Sequence, residues 1–264
     1  MGHRPHRPQN IYRRVSNEGV PLDIIELLKS AFMGLVEGIT EWLPVSSTGH
    51  MILVDEFVKM NVSETFWNMF LVVIQLGAIL AVCVLFFHEL NPFSPSKGKE
   101  GRRDTWVLWG KIVLGCIPAA AIGLPLNDWM EEHFYNAPVV ALALIVYGVL
   151  FIVIENWNKN RVPTTTTLSQ LTYRDALIIG FCQLVAAALP GTSRSGATIL
   201  GAIMIGISRT VAAEFTFFLA IPVMFGASLL KVLKFGFAFT GMELACLLVG
   251  TVTVSYTHLT LPTK

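Results

Sequence analysis

Two short stretches of this chain hold most of the side chains that could handle a phosphate. The first runs from Glu37 through Glu41, Pro44, Ser46, Ser47, Thr48 and Gly49 to His50. Glu37 and Glu41 stand four apart, so a helix sets them on one face. Two carboxylates placed so closely repel unless a cation lies between them. A divalent metal would serve, since Mg2+ takes oxygen ligands, typically one or two carboxylates together with phosphate oxygens. In a soluble helix such a pair would be solvated surface glutamates. Here Phe32, Leu35, Val36, Ile39, Trp42 and Leu43 surround them, and ionisable groups in apolar settings are costly and usually functional. Ser46, Ser47 and Thr48 supply hydroxyls, and Gly49 permits a tight turn. A serine becomes a nucleophile when a base lies beside it. Histidine is the side chain best suited to proton transfer near neutral pH, so His50 can be that base or attack phosphorus itself. Each of these residues taken alone would read as a helix cap or a structural histidine; the residue types leave the choice between Ser47 and His50 open.

The second stretch is Pro190, Gly191, Thr192, Ser193, Arg194, Ser195, Gly196, Ala197 and Thr198, ahead of an apolar helix over Ile199 to Ile207. Backbone N–H groups at such a helix start, with serine and threonine hydroxyls, bind phosphate. Arg194 adds a fork of donors that can hold two phosphate oxygens at once. An arginine snorkelling from an ordinary capped turn is the plainer reading, but Ala186 to Leu189 before it and Ile199 after it leave little water for that. Carboxylates, hydroxyls, a histidine and an arginine together suit phosphoanhydride hydrolysis, in which metal and Arg194 neutralise the charge developing on the phosphate. The chain has no P-loop and no zinc-binding HExxH motif.

Composition sets the elements that must hold these residues. Of 264 residues, 53% are hydrophobic and 14% charged, and mean hydropathy is +0.61. A soluble domain is about 25% charged, so most side chains here avoid water. Apolar runs over Phe66 to Phe87, Trp106 to Leu126, Pro138 to Ile154, Val211 to Leu233 and Met242 to Thr253 approach the length that spans a bilayer. Within the first of them, Asn68 and Gln75 are the strongly polar residues. The fold class expected is all-α, a polytopic membrane protein. Cys83, Cys116, Cys182 and Cys246 fall in apolar runs and form no CxxC pair, which suits packing. No cleavable signal peptide is evident. Residues 1–21 read as a disordered or added leader, 22–254 as one integral membrane catalytic domain, and 255–264 as a polar, non-native tail in which His258 has no role.

Leu22 to Met60 and Tyr173 to Ile207 do not read as simple spans. Each suggests a helix, a polar break and a second short helix, an arrangement tolerated at membrane depth only where protein or a water-filled cavity satisfies the backbone. The two segments resemble one another. Aligning Gly34 with Gly180 brings Glu37 onto Gln183, Pro44 onto Pro190 and Ser47 onto Ser193; Gly77-Ala78 then matches Gly226-Ala227 with three residues inserted. Three crossings separate the copies, so the expectation is two inverted repeats, about 22–154 and 173–254, each a re-entrant hairpin with transmembrane helices and each contributing to a site at the midplane. The loops Asn91 to Asp104 and Asn156 to Arg174 are basic, whereas Asn127 to Ala137 is acidic, which places the first two in the cytoplasm and the third outside. The scheme puts the N-terminus outside, against the preference of its arginines.

Taken together, the run from Glu37 to His50 and the run from Pro190 to Thr198 resemble the undecaprenyl-diphosphate phosphatase family, also called bacitracin-resistance proteins. That family carries an E/Q-xxx-E segment leading into LPVSSTGH and a PGxSRSxxT segment, and the resemblance covers roughly Leu22 to Val252. It implies hydrolysis of undecaprenyl diphosphate to undecaprenyl phosphate and phosphate, recycling the lipid carrier of peptidoglycan synthesis and raising tolerance to bacitracin. It implies Glu37 and Glu41 as metal-binding or acid–base carboxylates and Ser47 and His50 as nucleophile candidates. Ser193, Arg194 and Thr198 are then phosphate-holding, with Ser46, Thr48, Gly191 and Ser195 beside them. The cofactor expected is a divalent cation, Mg2+ ahead of Ca2+. The partners are a polyprenyl diphosphate and membrane lipid, no nucleic acid, and an assembly state left open with a homodimer among the options. The location expected is the bacterial inner membrane, with the site opening to the periplasmic or outer face. Where the family usually closes with a last apolar span, the expectation here is the polar tail. The competing reading is a secondary transporter or flippase of an anionic lipid or organic anion, which inverted repeats also fit. A non-catalytic bacitracin-binding scaffold is a third.

Overall fold

The structure, a computed structural model, describes residues 23–134, 136–188 and 191–260; the leader, Pro190 and the last four residues lie outside it. In chain order the helices are α1 (Ile24–Thr40), α2 (Ser47–Asp55), α3 (Glu64–Val73), α4 (Leu76–Leu85), α5 (Phe87–Leu90), α6 (Lys99–Pro118), α7 (Leu124–Phe134), α8 (Ala137–Asn158), α9 (Tyr173–Ala188), α10 (Arg194–Met204), α11 (Arg209–Phe235) and α12 (Gly241–Thr260). A π-helical turn over Ala119–Gly123 joins α6 to α7, starting after Pro118, a residue that cannot donate to the helix ladder. Among the described residues, five segments are long and apolar enough to cross a membrane: Glu64–Leu85, Lys99–Gly123, Pro138–Asn158, Arg209–Phe235 and Gly241–Thr260. The protein is a multi-pass helical membrane protein.

Both interrupted segments are helix–break–helix units. α1 begins on Asp23, whose carboxylate accepts from the Ile25 N–H at 2.9 Å. It ends just before Glu41, and α2 restarts under a cap by Ser46. α9 and α10 repeat this layout, with Ser193 capping α10. The helices pack in crossed pairs. α1 lies against α12, and α9 lies against α6. Glycines make both approaches close: a Cβ on Gly34 would come within 2.6 Å of the Gly250 carbonyl oxygen, and Gly180 faces the Gly115 backbone in the same way. Close approach through small residues is how helices associate where lipid supplies no hydrophobic drive. The matched glycine Gly77 is also tight, since a Cβ there would lie 2.5 Å from the Thr251 carbonyl oxygen, but a Cβ on its counterpart Gly226 would meet nothing within 4 Å among the described residues.

This contrast gives a stability prediction. Gly34→Ala should cost about 1–3 kcal/mol through overpacking, read as a lower thermal midpoint of the detergent-solubilised protein. Gly226→Ala should be neutral or gain about 0.5–1 kcal/mol, because alanine favours helix. Equal midpoints for the two variants would contradict the packing.

Two apolar clusters form the interior, one around Phe215, Phe218 and Ile179, the other around Phe66, Phe70 and Met33. α8 is attached through α2 and α10, and it leaves Leu142, Ile145, Val146, Val149 and Val153 exposed, as expected of a helix whose outer face meets lipid. The sequence places the end of the last apolar segment at Val254 and reads the rest as a tail unable to span. Instead α12 continues to Thr260. The physical reason lies in its threonines: the hydroxyls of Thr253, Thr257 and Thr260 each donate to a carbonyl four residues back at 2.8 Å, hiding polar groups within the helix. His258 is 1% exposed and stacks on Trp42 with ring centroids 4.1 Å apart.

Candidate active site

The two hairpin breaks meet. Arg194, the first residue of α10, donates from Nη2 to Glu41 Oε1 at 2.5 Å, across 153 residues of sequence. The other carboxylate oxygen of Glu41 accepts from Ser47 Oγ at 2.7 Å. The arginine and glutamate side chains are 20% and 13% exposed, so the pair is mostly sheltered from water. A cavity of about 320 Å³ opens over them, and Glu41, Ser46, Ser47, Thr48 and Gly191 to Ser195 line it.

Local chain geometry explains why these groups point together. After Thr40 the chain cannot continue helically into Pro44, because the residue before a proline is driven out of the α region. Ser46 has φ 67°, the one positive value among described non-glycine residues. Such a conformation is strained outside glycine and persists where the surroundings hold it. There Ser46 caps α2 through the Gly49 N–H at 3.3 Å. Its carbonyl accepts from the His50 N–H at 3.1 Å and lies 2.8 Å from His50 Nδ1. A carbonyl only accepts, so Nδ1 carries the ring proton, and His50 serves to brace Ser46. In the second break Gly191 has φ +88°, and any Cβ there would lie 2.7 Å from the Val140 carbonyl oxygen of α8; glycine is required on both grounds. Ser193 caps α10 through the Gly196 N–H at 3.1 Å, and its Oγ is 3.1 Å from Ser195 Oγ. The first N–H groups of α10, at Arg194 and Ser195, have no helical acceptor and face the end that favours anions.

The residues singled out from sequence divide into three groups. Glu41, Ser46, Ser47, Thr48, Gly191, Ser193, Arg194 and Ser195 share the cavity. Glu37 lies one turn before Glu41 and is fully buried; neither of its carboxylate oxygens has a hydrogen-bond partner among the described residues. His50 and Thr198 do not line the cavity. Thr198 is fully buried, and its hydroxyl bonds back to the carbonyls of Arg194 and Ser195 at 3.0 Å while accepting from Thr216 at 2.9 Å. It braces the turn that carries Arg194. The sequence gives no site role to Gln75, Asn68, Glu64 or Lys231, which also line the cavity. Gln75 carried a signal, an amide in the middle of the most apolar run. Lys231 carried none, standing near the end of a span where lysines commonly snorkel.

The fold and this site define a class: a polytopic membrane protein with an arginine–carboxylate pair in a cavity between two broken helices. The family model for bacitracin resistance protein BacA matches residues 30–260. Undecaprenyl-diphosphatase of Desulfitobacterium hafniense is 60% identical over 229 residues, 87% of this chain and 82% of that protein. Undecaprenyl-diphosphatase 1 of Clostridium acetobutylicum is 58% identical over 229 residues, with 87% and 84% covered. Undecaprenyl-diphosphatase of Enterococcus faecalis is 58% identical over 229 residues, with 86% and 83% covered. The chain belongs to the BacA family of bacitracin resistance proteins.

Proposed function

We propose that this membrane enzyme hydrolyses undecaprenyl diphosphate to undecaprenyl phosphate and inorganic phosphate, with Ser47 as nucleophile and Glu41 as its base. The observation that carries the assignment of roles is the chain of contacts Ser47–Glu41–Arg194 at the cavity floor. Recycling of the lipid carrier and bacitracin resistance follow from the family and the relatives' activity.

The geometry supplies each role. Ser47 Oγ already directs its proton at Glu41 Oε2, the arrangement of a nucleophile beside its base. Attack on the terminal phosphorus forms the Ser47 O–P bond and breaks the bond to the bridging oxygen, which leaves on undecaprenyl phosphate. Glu41 takes the serine proton. Water then attacks the phosphoserine, releasing phosphate and returning the proton to Ser47. Arg194, the hydroxyls of Ser193 and Ser195 and the open N–H groups of α10 surround the phosphate oxygens, stabilising charge where it develops.

A divalent cation fits the acidic side of this site. Glu37 presents two buried carboxylate oxygens with no hydrogen-bond partner among the described residues, an arrangement that costs several kcal/mol unless something answers it. Glu37 and Glu41 would hold the ion, Mg2+ by preference for oxygen ligands. When bound it would answer the buried charge of Glu37 and lend positive charge to the phosphate, while Oε2 of Glu41 stays turned to Ser47. Stripping divalent ions with chelator should abolish phosphate release from undecaprenyl diphosphate by the purified protein, and added Mg2+ should restore it. Full release in chelator would remove the ion from the scheme; no release under any condition would remove the hydrolase and favour transport.

We place the protein in the bacterial inner membrane with the cavity opening outward and the two broken-helix units inverted. Glu64 and Asn68, at the start of α3, line the cavity, and the basic loop Asn91 to Asp104 follows the far end of the same span. The crossed pairing of α1 with α12 and of α9 with α6 supports two related halves.

A further inference from the structure

We propose that Gln75 is a positioning residue for the reaction, fixing the Thr48 hydroxyl so that its proton is presented to a phosphate oxygen of the substrate. This rests on reading the cavity as the phosphate site. Gln75 sits where the span Glu64–Leu85 is interrupted, between Val73 at the end of α3 and Leu76 at the start of α4. It is 9% exposed and lines the cavity. Its Nε2 lies 2.9 Å from the Leu71 carbonyl oxygen and 2.9 Å from Thr48 Oγ1.

The chemistry of the two partners settles direction. The two ends of a glutamine amide look alike, so the assignment must come from what surrounds them. A backbone carbonyl can only accept, so the end facing Leu71 is the NH2. That same NH2 group then donates to Thr48, whose hydroxyl has one proton and can both accept and donate. With the hydroxyl accepting from Gln75, its proton points elsewhere. No described acceptor takes it, and Thr48 lines the cavity beside Ser47 and Glu41.

The second hairpin supplies the contrast. Thr198 also accepts from a neighbouring span, through Thr216, but returns its proton to the carbonyls of its own helix. One threonine braces the turn; the other keeps a donor open over the site. An amide in a lipid-embedded span is expensive to place there, and Gln75 is answered by this arrangement on both of its donors.

The test is a double-mutant cycle on the full-length enzyme in detergent, with farnesyl diphosphate as substrate at fixed Mg2+ concentration. Gln75→Leu and Thr48→Val should each lower kcat/KM about tenfold, the worth of one hydrogen bond to a charged oxygen. The double variant should fall no further than Thr48→Val alone. Thr48→Ser, which restores a hydroxyl, should stay within about threefold of wild type and remain sensitive to Gln75→Leu. Inhibition by inorganic phosphate should weaken in Gln75→Leu by the same factor as kcat/KM, a change that loosened packing would not produce. If Gln75→Leu fails to fold, Gln75→Met keeps an unbranched side chain of similar length and replaces it in the cycle. Multiplying losses in the double variant, or full activity in a folded Gln75 variant, would overturn the proposal while leaving the phosphate site standing. Full activity in Thr48→Val would overturn the reading of the cavity, and this proposal with it.

Discussion

Arg194→Ala should lower kcat/KM for phosphate release by about 10³-fold, the scale seen when a preorganised donor to a developing charge is removed. The reason goes beyond one lost contact with substrate. Arg194 is the cation bound to Glu41 at 2.5 Å, and Glu37 lies one turn away with no hydrogen-bond partner among the described residues. Without the guanidinium, two carboxylates face each other and an incoming diphosphate in a sheltered cavity. Its Nη1 has no hydrogen-bond partner among the described residues, so the second arm of the fork is available to an anion. Arg194→Lys keeps the charge but gives up the planar fork, and should recover only part of the loss. The measurement is steady-state phosphate release, with the thermal midpoint of each variant to separate chemistry from folding. Wild-type kinetics in a folded Arg194→Ala protein would dismantle the site.

Much of this site is legible before any coordinates. The residue types in the two breaks announce phosphate chemistry, and the matching breaks announce that two hairpins share a task. What joins them is a contact between Glu41 and Arg194 that spacing alone cannot give, because nothing local relates residues 153 positions apart. The role of Thr198 was hidden for a related reason. A threonine after a phosphate-binding turn and a threonine bonded back to its own helix have the same sequence, and the difference is set by Thr216 on another helix. Gln75 reads from sequence as a polar residue in an apolar span, and nothing local joins it to Thr48, its partner across 27 residues. The end of α12 was missed because side-chain polarity counts against a span, whereas Thr253, Thr257 and Thr260 return their hydroxyls to the backbone. The all-helical, multi-span architecture was plain from composition and run length, since these depend on totals that no single contact can change.

Ser47→Ala and Glu41→Gln should each reduce kcat by about 10³-fold or more, and the double variant should be no worse than the more damaged single one. Residues that act as one unit lose their common function once, so their effects do not multiply. The unit here is visible as the Ser47 hydroxyl donating to Glu41 at 2.7 Å. His50 stands apart from it, with Nδ1 held 2.8 Å from the Ser46 carbonyl oxygen and the ring outside the cavity lining. Acid quenching during turnover of substrate labelled on the terminal phosphate distinguishes the two nucleophile candidates, because a phosphoserine survives acid and a phosphohistidine does not. Label on the peptide bearing Ser47 after acid treatment is the result expected, absent in Ser47→Ala. Label that survives only alkaline quenching and maps to His50 would transfer the nucleophile's role to the histidine. Because Glu41 also binds Arg194, Glu41→Gln weakens two contacts at once, so its loss should include poorer binding as well as slower chemistry. Ser47→Ala removes only the hydroxyl; its KM should stay near that of wild type while kcat collapses, as befits a group whose bond to phosphorus forms only on the way to the transition state.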